Sequence, residues 1–500
     1  MPTAVDQPPP AASAAPPLEK QTTVGNYFVS NYPPFAYWRP EFVPEFLAAL
    51  ERPPSAYPAS GIRHPASTLP SLAPGQHGHC RSETRAPALD RPPGAHLASG
   101  IRRPASRVPL GVYAHIPFCR KRCHFCYFKV YTDKDSQEIR SYLDALLQEL
   151  TIYAGKPFVG GRKPSFVYFG GGTPSYLSEA QLHFLTDGMK RLLPWDEVEE
   201  VTFECEPGTL TDHKLAALRQ IGVTRLSLGI EHFDDHILEI NGRAHRSKEI
   251  ARAYAYAREV GFPQINIDLI AGMVEETEDK WKMAVAKTLE LAPDSVTIYQ
   301  MEVPFNTGIY RQMKAEGKLV APVADWDTKR RWVDYAFGEL EKAGYTVGSA
   351  YTAVKDKAKT RFVYRDYLWA GADLLSIGVA SFGHIGGTHY QNHHDFDAYV
   401  APLADGHLPV YRALTPTPEE RYIREFILQL KLGRVSADYF TEKFGEDPRV
   451  KFAPPLAGLK DRGFLQNDGD RIAINREGLL QVDRLLHEFF KPEHQGPRYA

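Results

Sequence analysis

The pattern of apolar and polar positions changes near residue 108 and predicts an α/β domain after it. Short runs rich in β-branched and aromatic residues alternate there with amphipathic stretches of helical period. The predicted strands are residues 111–116, 165–169, 201–205, 225–230, 264–270 and 295–300. The predicted helices are residues 138–153, 179–192, 212–220, 248–260, 276–291 and 327–343. This alternation predicts a parallel sheet curled into a partial (β/α)6 barrel, with chemistry at the carboxyl ends of its strands.

The same pattern divides the rest of the chain. Residues 1–22 have the Pro/Ala-rich composition of a disordered tail, and residues 23–51 form an aromatic segment that can pack on the main domain. Residues 52–107 are predicted to be a Pro/Ser-rich linker. We expect the barrel domain to span residues 108–405 and a small winged-helix-like domain to span residues 406–500. The elements predicted for that last domain are residues 419–432, 456–464, 471–475 and 477–490.

The linker contains an internal repeat, because residues 51–67 reappear in altered form as residues 90–106. A docking motif used twice is one interpretation, but two copies cannot stack into a solenoid, and the composition favours a duplicated linker. Cys80 lies between the copies, close to His77 and His79. That grouping suggests a metal, although a loose surface tract is the simpler interpretation.

Charge, length and cysteine content exclude several classes of function. The chain has 59 Lys and Arg against 61 Asp and Glu, so its net charge of -2 creates no field that attracts nucleic acid or an anionic membrane. It contains no run of about 18 apolar residues, so we expect no membrane span and a cytoplasmic protein. Its five cysteines, three of them clustered, fit a reducing compartment and a metal site better than a disulfide framework.

Three thiols follow the first predicted strand with the spacing C-x3-C-x2-C, at Cys119, Cys123 and Cys126. Three thiolates on a short loop can each bind one iron of a [4Fe-4S] cluster, which leaves the fourth iron open. S-adenosylmethionine (SAM) can chelate that iron, and its reductive cleavage releases a 5'-deoxyadenosyl radical. The alternatives are free thiols or a zinc ion completed by His115, His124 or Cys205.

The stretch His-Ile-Pro-Phe-Cys from His115 to Cys119, with this thiol spacing, resembles the oxygen-independent coproporphyrinogen III oxidase (HemN/HemW-type) family of radical SAM proteins. The resemblance extends over about residues 108–490. The family also includes heme chaperones and C-methyltransferases or cyclopropanases. Membership implies a [4Fe-4S] cluster on the three thiols, SAM as cofactor, an electron donor such as flavodoxin or ferredoxin, and a small-molecule substrate such as a tetrapyrrole.

Further matches to this family follow the second and third predicted strands. Residues 169–175 read Phe-Gly-Gly-Gly-Thr-Pro-Ser, and in the family this loop binds the methionine group of SAM. Glycines allow the backbone to approach a ligand closely. Glu204 ends the third strand, where a carboxylate can receive the SAM ammonium group. The resemblance therefore implies that SAM is bound by Glu204 and by the loop residues Gly170, Gly171, Gly172 and Thr173.

Other positions match the family one by one. Arg243 corresponds to the arginine that pairs with the SAM carboxylate, and Asp268 lies near the nucleoside. Glu231 replaces a residue that is usually Gln, and its carboxylate can still accept hydrogen bonds from the ribose hydroxyls. Tyr113 and His115 form the pair that family members place beside the cluster and SAM, as catalytic candidates. For His115 the alternative is a satisfied core histidine.

Two departures from the family concern the reaction. The decarboxylating oxidases carry a further cysteine where this chain has Phe128, and a Phe-Gln pair where it reads Val363-Tyr364. Residues 299–300 resemble the chaperone branch, whereas residues 390–392 resemble the oxidase. The basic run at residues 120–122 can supply cationic partners for substrate carboxylates. The resemblance implies a radical SAM oxidoreductase of porphyrin biosynthesis. The alternatives are a heme carrier without turnover and a C-methyltransferase or cyclopropanase that uses two SAM molecules.

Overall fold

The structure, a computed structural model, describes residues 28–54, 108–318 and 320–496. The predicted tail, the repeat in the linker and Cys80 lie outside the described residues. Among the described helices, none is both long enough and apolar enough to cross a membrane.

The strands of the main domain form one sheet with twelve strands in the described residues. The first six strands are β1 Leu110–Ile116, β2 Phe166–Gly171, β3 Glu200–Cys205, β4 Arg225–Glu231, β5 Gln264–Ala271 and β6 Ser295–Gln300. The others are β7 Thr346–Val347, β8 Thr352–Val354, β9 Asp373–Ile377, β10 Phe382–Ile385, β11 Thr388–Asn392 and β12 Val410–Leu414. Their order across the sheet is β12-β11-β10-β9-β1-β2-β3-β4-β5-β6-β8-β7.

Helices connect most of these strands, and several of them begin at a side chain that caps the first turn. Before the second helix, Asp135 accepts a hydrogen bond from the Glu138 amide at 2.8 Å, and Glu138 accepts one from the Asp135 amide at 2.9 Å. The first helices are α1 Val43–Leu50, α2 Ser136–Ala154, α3 Glu179–Leu192, α4 Asp212–Gln220, α5 Asp235–Ile240 and α6 Ser247–Val260. The next are α7 Glu278–Leu291, α8 Gly308–Ala315, α9 Trp326–Lys342, α10 Val363–Trp369 and α11 Phe396–Ala404.

Strands β1 to β6 confirm the predicted barrel. They pair in parallel and in chain order, for example with Val112 opposite Val167. The strands are buried along almost their whole length, as expected of parallel strands covered on both faces. Their carboxyl ends therefore lie at one edge of the sheet, where parallel α/β folds place their ligands.

The sheet extends beyond the predicted barrel on the side of β1. Strand β9 pairs in parallel with β1, and β10 to β12 continue antiparallel. These strands were not predicted, because each is short and is bounded by polar residues and glycines. Since β12 belongs to this sheet, the sheet continues to Leu414, past the predicted domain boundary at residue 405.

The segment before the linker packs on both parts of the molecule. Phe46 and Leu50 of α1 are buried in the core of the main domain, and Phe46 stacks on Tyr390 with ring centroids 4.7 Å apart. Arg39 pairs with Ala413 of β12. Val29 is buried in the separate core of the C-terminal domain. This segment therefore joins the two cores.

The C-terminal domain combines helices with a three-stranded antiparallel sheet in the order β13-β15-β14. Its helices are α12 Pro418–Leu430, α13 Ala437–Phe444, α14 Pro448–Lys451, α15 Ala453–Asp461, α16 Arg476–Leu479 and α17 Val482–Leu486. Its strands are β13 Arg434–Ser436, β14 Leu465–Asp468 and β15 Arg471–Ile474. The element predicted at residues 477–490 consists of the two short helices α16 and α17 and a 3-10 turn at His487–Phe489. Between α16 and α17, the Leu480 carbonyl accepts a hydrogen bond from Gln300 Nε2 at 2.9 Å.

A buried carboxyl group fixes the added strands to α2. Glu149 is fully buried and accepts hydrogen bonds from Tyr399 Oη at 2.6 Å, Asn392 Nδ2 at 2.7 Å and the Gly378 amide at 2.8 Å. Burial raises the pKa of Glu149 from 4.5 to about 7, and the three hydrogen bonds oppose that rise. The Glu149 carboxyl group is therefore the acceptor for three buried hydrogen-bond donors, which water cannot reach if the group is removed.

We expect Glu149→Ala to lower the free energy of unfolding by about 3 kcal/mol, because it leaves buried donors without an acceptor. Glu149→Gln keeps an acceptor and should cost less. The raised pKa stabilises the folded state below pH 4.5, and this stabilisation is lost as the pH rises through about 7. Urea unfolding of the three proteins at pH 5 and pH 8 measures both effects. A Glu149→Ala protein as stable as the unchanged one would contradict this account.

Candidate functional site

A cavity of about 460 Å³ opens where the carboxyl ends of the barrel strands meet. Each of five successive strands or its following turn places a residue on its wall: Gly171, Glu204, Glu231, Asp268 and Tyr299. The volume lies in the range of about 300–1,000 Å³ that is usual for small-molecule sites. The cavity is therefore located where the strand pattern predicted chemistry.

The three predicted cluster ligands, Cys119, Cys123 and Cys126, lie in the loop after β1 and all line this cavity as free thiols. Thr173 Oγ1 donates to Cys119 Sγ at 3.2 Å, and Arg243 Nη1 donates to Cys123 Sγ at 3.3 Å. Burial raises the pKa of Cys119 to about 12 and that of Cys126 to about 11. Hydrogen-bond donors directed at buried sulfur atoms suit thiolates that bind a metal cluster.

The site fits a cluster better than a single zinc ion. A zinc ion needs four ligands at about 2.0–2.3 Å from one centre, whereas a cubane spreads three thiolates over three separate irons. Of the three residues suggested to complete a zinc site, His124 instead bonds through Nδ1 with the Ile240 carbonyl at 2.9 Å, and Cys205 Sγ donates to the Phe203 carbonyl.

The glycine loop after β2 needs glycine for two reasons. Gly171 has φ of 118°, and a Cβ atom there would lie 2.7 Å from the His115 ring. A Cβ atom at Gly172 would lie 3.0 Å from Cys119 Sγ. Any larger residue would push the loop away from the thiols. Gly171, Gly172 and Thr173 line the cavity, whereas Gly170 lies behind it.

Glu204 lies on the cavity wall with its carboxylate oriented by two donors. Tyr168 Oη donates to Glu204 Oε1 at 2.6 Å, and the Gly171 amide donates to Oε2 at 3.2 Å. Burial raises the pKa of Glu204 to about 7, and the nearby charge of Asp268 adds to the rise. A cationic ligand such as an ammonium group would favour the ionised form.

Glu231 and Arg243 face each other across the same wall, with Glu231 Oε1 3.6 Å from Arg243 Nη1. Glu231 has φ of 66°, a left-handed backbone conformation that is unusual for a glutamate. Burial raises the pKa of Glu231 to about 7, although Arg243 opposes the rise. Arg243 also donates to the Gly229 carbonyl at 2.5 Å, while its Nε is buried without a partner. Arg243 thus connects the thiol loop to β4.

Asp268 belongs to a hydrogen-bonded group inside the barrel. Ser227 Oγ donates to Asp268 Oδ2 at 2.9 Å, and Asn266 Nδ2 donates to Oδ1 at 2.9 Å. Burial raises the pKa of Asp268 above its ordinary value. Its side chain is therefore fixed on the cavity wall by neighbours that the sequence analysis did not identify.

Tyr113 and His115, the catalytic candidates, lie on β1 beneath the glycine loop, and neither belongs to the cavity wall. Tyr113 Oη and His115 Nδ1 are 3.1 Å apart. Burial lowers the pKa of His115 to about 4, so the ring is neutral at pH 7, and its buried Nε2 has no hydrogen-bond partner among the described residues. The two side chains support the loop from behind.

Two of the three cations in the basic run at residues 120–122, Arg120 and Arg122, have partners within the protein. Arg120 forms two hydrogen bonds with Glu206, at 3.1 and 3.0 Å, and Arg122 donates to the Cys126 carbonyl at 3.1 Å. Burial alone would raise the pKa of Glu206, yet His245 and Arg120 hold it at about 2. These two arginines therefore bind the protein itself and hold the thiol loop.

Part of the cavity wall is aromatic, a feature that was not predicted from the sequence. Tyr127 and Phe128 lie with ring centroids 4.5 Å apart and remain 37% and 42% exposed. Tyr299 stacks near Tyr351, with centroids 6.2 Å apart. All four rings line the cavity. Arg225 is a further unpredicted wall residue, and its signal in the sequence was a basic residue at the start of a largely apolar strand.

Two family models match this chain. The model described as the Radical SAM superfamily matches residues 113–287, and the model described as the HemN C-terminal domain matches residues 417–480. The two matches cover the barrel strands β1 to β5 and most of the C-terminal domain.

Among curated proteins, the heme chaperone HemW of Bacillus subtilis is 31% identical over 382 residues, which cover 75% of this chain and 98% of that protein. The oxygen-independent coproporphyrinogen III oxidase of Escherichia coli is 28% identical over 394 residues, which cover 75% of this chain and 83% of that protein. Among solved structures, coproporphyrinogen III oxidase (HemN) from Escherichia coli matches with a TM-score of 0.72 at 22% identity, covering 94% of this chain and 99% of that chain. This last similarity shows a shared fold.

Proposed function

Because the chain belongs to the radical SAM superfamily, in the family of oxygen-independent coproporphyrinogen III oxidases and HemW heme chaperones, we propose that it is an enzyme that cleaves SAM reductively and directs the radical at a tetrapyrrole. Its cofactors are a [4Fe-4S] cluster and SAM. We further propose that Cys119, Cys123 and Cys126 bind the cluster, and that a flavodoxin or ferredoxin supplies the electron.

One observation carries this proposal: the three thiols, the glycine loop and the carboxylates at the strand ends share a single cavity. When bound, the cluster supplies the electron that cleaves SAM, and SAM supplies the 5'-deoxyadenosyl radical. Glu204 binds the SAM ammonium group and Arg243 its carboxylate. The backbone of residues 171–173 holds the methionine group of SAM. Glu231 accepts hydrogen bonds from the ribose hydroxyls, and Asp268 lies towards the nucleoside.

The aromatic wall supports a substrate that carries flat aromatic rings, such as the pyrroles of a tetrapyrrole. Flat rings such as Tyr127, Phe128 and Tyr299 offer large apolar contact area to a ligand at small entropic cost. Phe128 stands where the decarboxylating oxidases of this family carry a further cysteine, and Val363-Tyr364 stands where they carry Phe-Gln. The backbone amides of Val363 and Tyr364 donate to the buried carboxyl group of Glu200 at 3.0 and 3.1 Å. These departures argue against efficient decarboxylation of coproporphyrinogen III.

We therefore expect the anaerobically reconstituted protein, given SAM and reductant, to form 5'-deoxyadenosine more readily than it converts coproporphyrinogen III. The experiment follows 5'-deoxyadenosine, carbon dioxide and protoporphyrinogen IX together by chromatography. Multiple turnovers to protoporphyrinogen IX would establish the oxidase and overturn our expectation. Deoxyadenosine with a methylated product, and without carbon dioxide, would favour a C-methyltransferase or cyclopropanase.

A heme carrier is the second candidate, and it is favoured by the 31% identity to a heme chaperone that is matched over 98% of its length. In that case the cavity would hold heme without turnover. The discriminating measurement is stoichiometric heme binding by absorbance, made on the same protein that is assayed for SAM cleavage. Tight heme binding by iron-loaded protein that forms no deoxyadenosine would replace the enzyme proposal with the carrier.

A further inference from the structure

Two arginines on the cavity wall, Arg330 and Arg484, lack the glutamate partners that Arg120 and Arg243 have there. Arg330 comes from the first turns of α9 and Arg484 from α17, and both line the cavity. Among the described residues, no hydrogen bond or ion pair is made by the Arg484 side chain. Within the same described part of the chain, Arg330 Nε is buried without a hydrogen-bond partner, and the one ion pair of its guanidinium is with Asp327, at 3.6 Å, on its own helix. By contrast, Arg120 and Arg243 each face a glutamate of the wall.

The two guanidinium groups affect each other electrostatically. The side chain of Arg330 is 14% exposed. Burial lowers the pKa of Arg330, the charge of Arg484 lowers it further, and Asp327 opposes the shift. Holding two cations together in a half-buried wall costs free energy, which an anion placed between them would recover.

The position of Arg484 is fixed by the residues around it. Its neighbour Asp483 accepts a hydrogen bond from the Val29 amide at 2.9 Å and lies 2.7 Å from Lys431 Nζ. On the other side, the Leu480 carbonyl accepts from Gln300 Nε2. These contacts hold the backbone around Arg484 against the end of β6. The Arg484 side chain is therefore presented to the cavity by a rigid frame.

The surroundings of the pair suit a carboxylate carried on an aromatic ring. Trp326 lies 5.9 Å from the Arg330 guanidinium, and Tyr299 and Tyr351 stack on the same wall. A planar fork of N–H donors matches the two oxygens of a carboxylate, and two such forks can hold it from both sides.

We propose that Arg330 and Arg484 form an anion-binding subsite that takes a carboxylate of the substrate and so orients its ring over the cavity. The tetrapyrrole as carrier of that carboxylate rests on the proposed function above. The subsite makes the C-terminal domain a direct part of substrate recognition, through Arg484.

The test measures binding with two probes on reconstituted protein under anaerobic conditions. Coproporphyrin III reports on a tetrapyrrole with carboxylates, and pyrenebutyrate compared with pyrenebutanol reports on the carboxylate alone. We expect the unchanged protein to bind pyrenebutyrate about tenfold more tightly than pyrenebutanol, as charged hydrogen bonds require. Arg330→Gln and Arg484→Gln should each remove most of that preference and weaken coproporphyrin III about tenfold. Arg330→Lys and Arg484→Lys should restore part of it.

Arg462→Gln is the matched control, because Arg462 lies in the same domain but outside the cavity, paired with Glu488 at 2.6 Å. It should bind both probes as the unchanged protein does. If both Gln variants still prefer pyrenebutyrate as the unchanged protein does, the subsite proposal is overturned. It is also overturned if the Gln variants lose affinity for SAM while their affinity for the probes is unchanged. If the protein ignores coproporphyrin III but keeps an arginine-dependent preference for pyrenebutyrate, the tetrapyrrole proposal fails and the subsite stands. Thermal melting of each variant checks its folding, and the Lys variants replace any Gln variant that unfolds.

Discussion

Changing any one of Cys119, Cys123 or Cys126 to Ala is expected to abolish the cluster. The unchanged protein, reconstituted without oxygen, should carry about four irons and show a paramagnetic signal at low temperature after reduction. A cluster with two protein thiolates has lost one of its three anchors, so each variant should lose both the iron and the signal. Iron analysis and electron paramagnetic resonance measure the two outcomes.

The control for this experiment is Cys205→Ala. Cys205 is buried at the end of β3, where burial raises its pKa and its thiol donates to the Phe203 carbonyl. The Cys205→Ala protein should keep both the iron and the paramagnetic signal. Cys80→Ala should also keep them. Stoichiometric zinc in place of iron in anaerobically purified protein would contradict the cluster assignment.

Glu204→Gln is expected to weaken SAM binding by about 10- to 100-fold, because it replaces a charge-assisted hydrogen bond to the SAM ammonium group with a neutral one. The Gln side chain keeps the shape of the site and can still accept from Tyr168 Oη, which now donates to Glu204 at 2.6 Å. Equilibrium dialysis of SAM against reconstituted protein gives the dissociation constant.

The pH dependence of SAM binding tests the same carboxylate. Burial raises the pKa of Glu204 to about 7, so the fraction that is ionised falls as the pH drops through 7. SAM affinity should fall with it in the unchanged protein and stay level in Glu204→Gln. Glu231 has a similar raised pKa and is the matched control, since Glu231→Gln introduces the residue that is usual in the family. A pH dependence that disappears in Glu231→Gln but persists in Glu204→Gln would contradict the assignment.

The sequence predicts most of the barrel and one side of the cavity. Strand β6, Ser295–Gln300, and helix α3, Glu179–Leu192, have the predicted bounds, because their periodicity is strong and polar residues flank them. Since parallel strands end at one edge, the order of motifs along the chain also predicts that Gly171, Glu204 and Asp268 meet.

The rest of the site depends on contacts between distant parts of the chain. Between α16 and α17 the Leu480 carbonyl accepts a hydrogen bond from Gln300, a contact that no local pattern reveals. Arg120 is part of a basic run, yet its role is set by Glu206, which lies just after β3. Arg330 and Arg484 have ordinary local sequences, and only the tertiary fold brings them to one wall.

The anchoring of Asp483 also has a consequence for how the protein folds. Its hydrogen bond to the Val29 amide joins residues 454 positions apart, and its ion pair with Lys431 closes the same junction. The contact between Val29 and Asp483 closes a longer loop than the contacts within a β/α unit do, so it costs more entropy to form and is expected to form later. The barrel strands can therefore assemble before the segment that carries Arg484 arrives. We expect the cavity wall to be completed in a late kinetic step, after the barrel strands around the thiol loop have assembled.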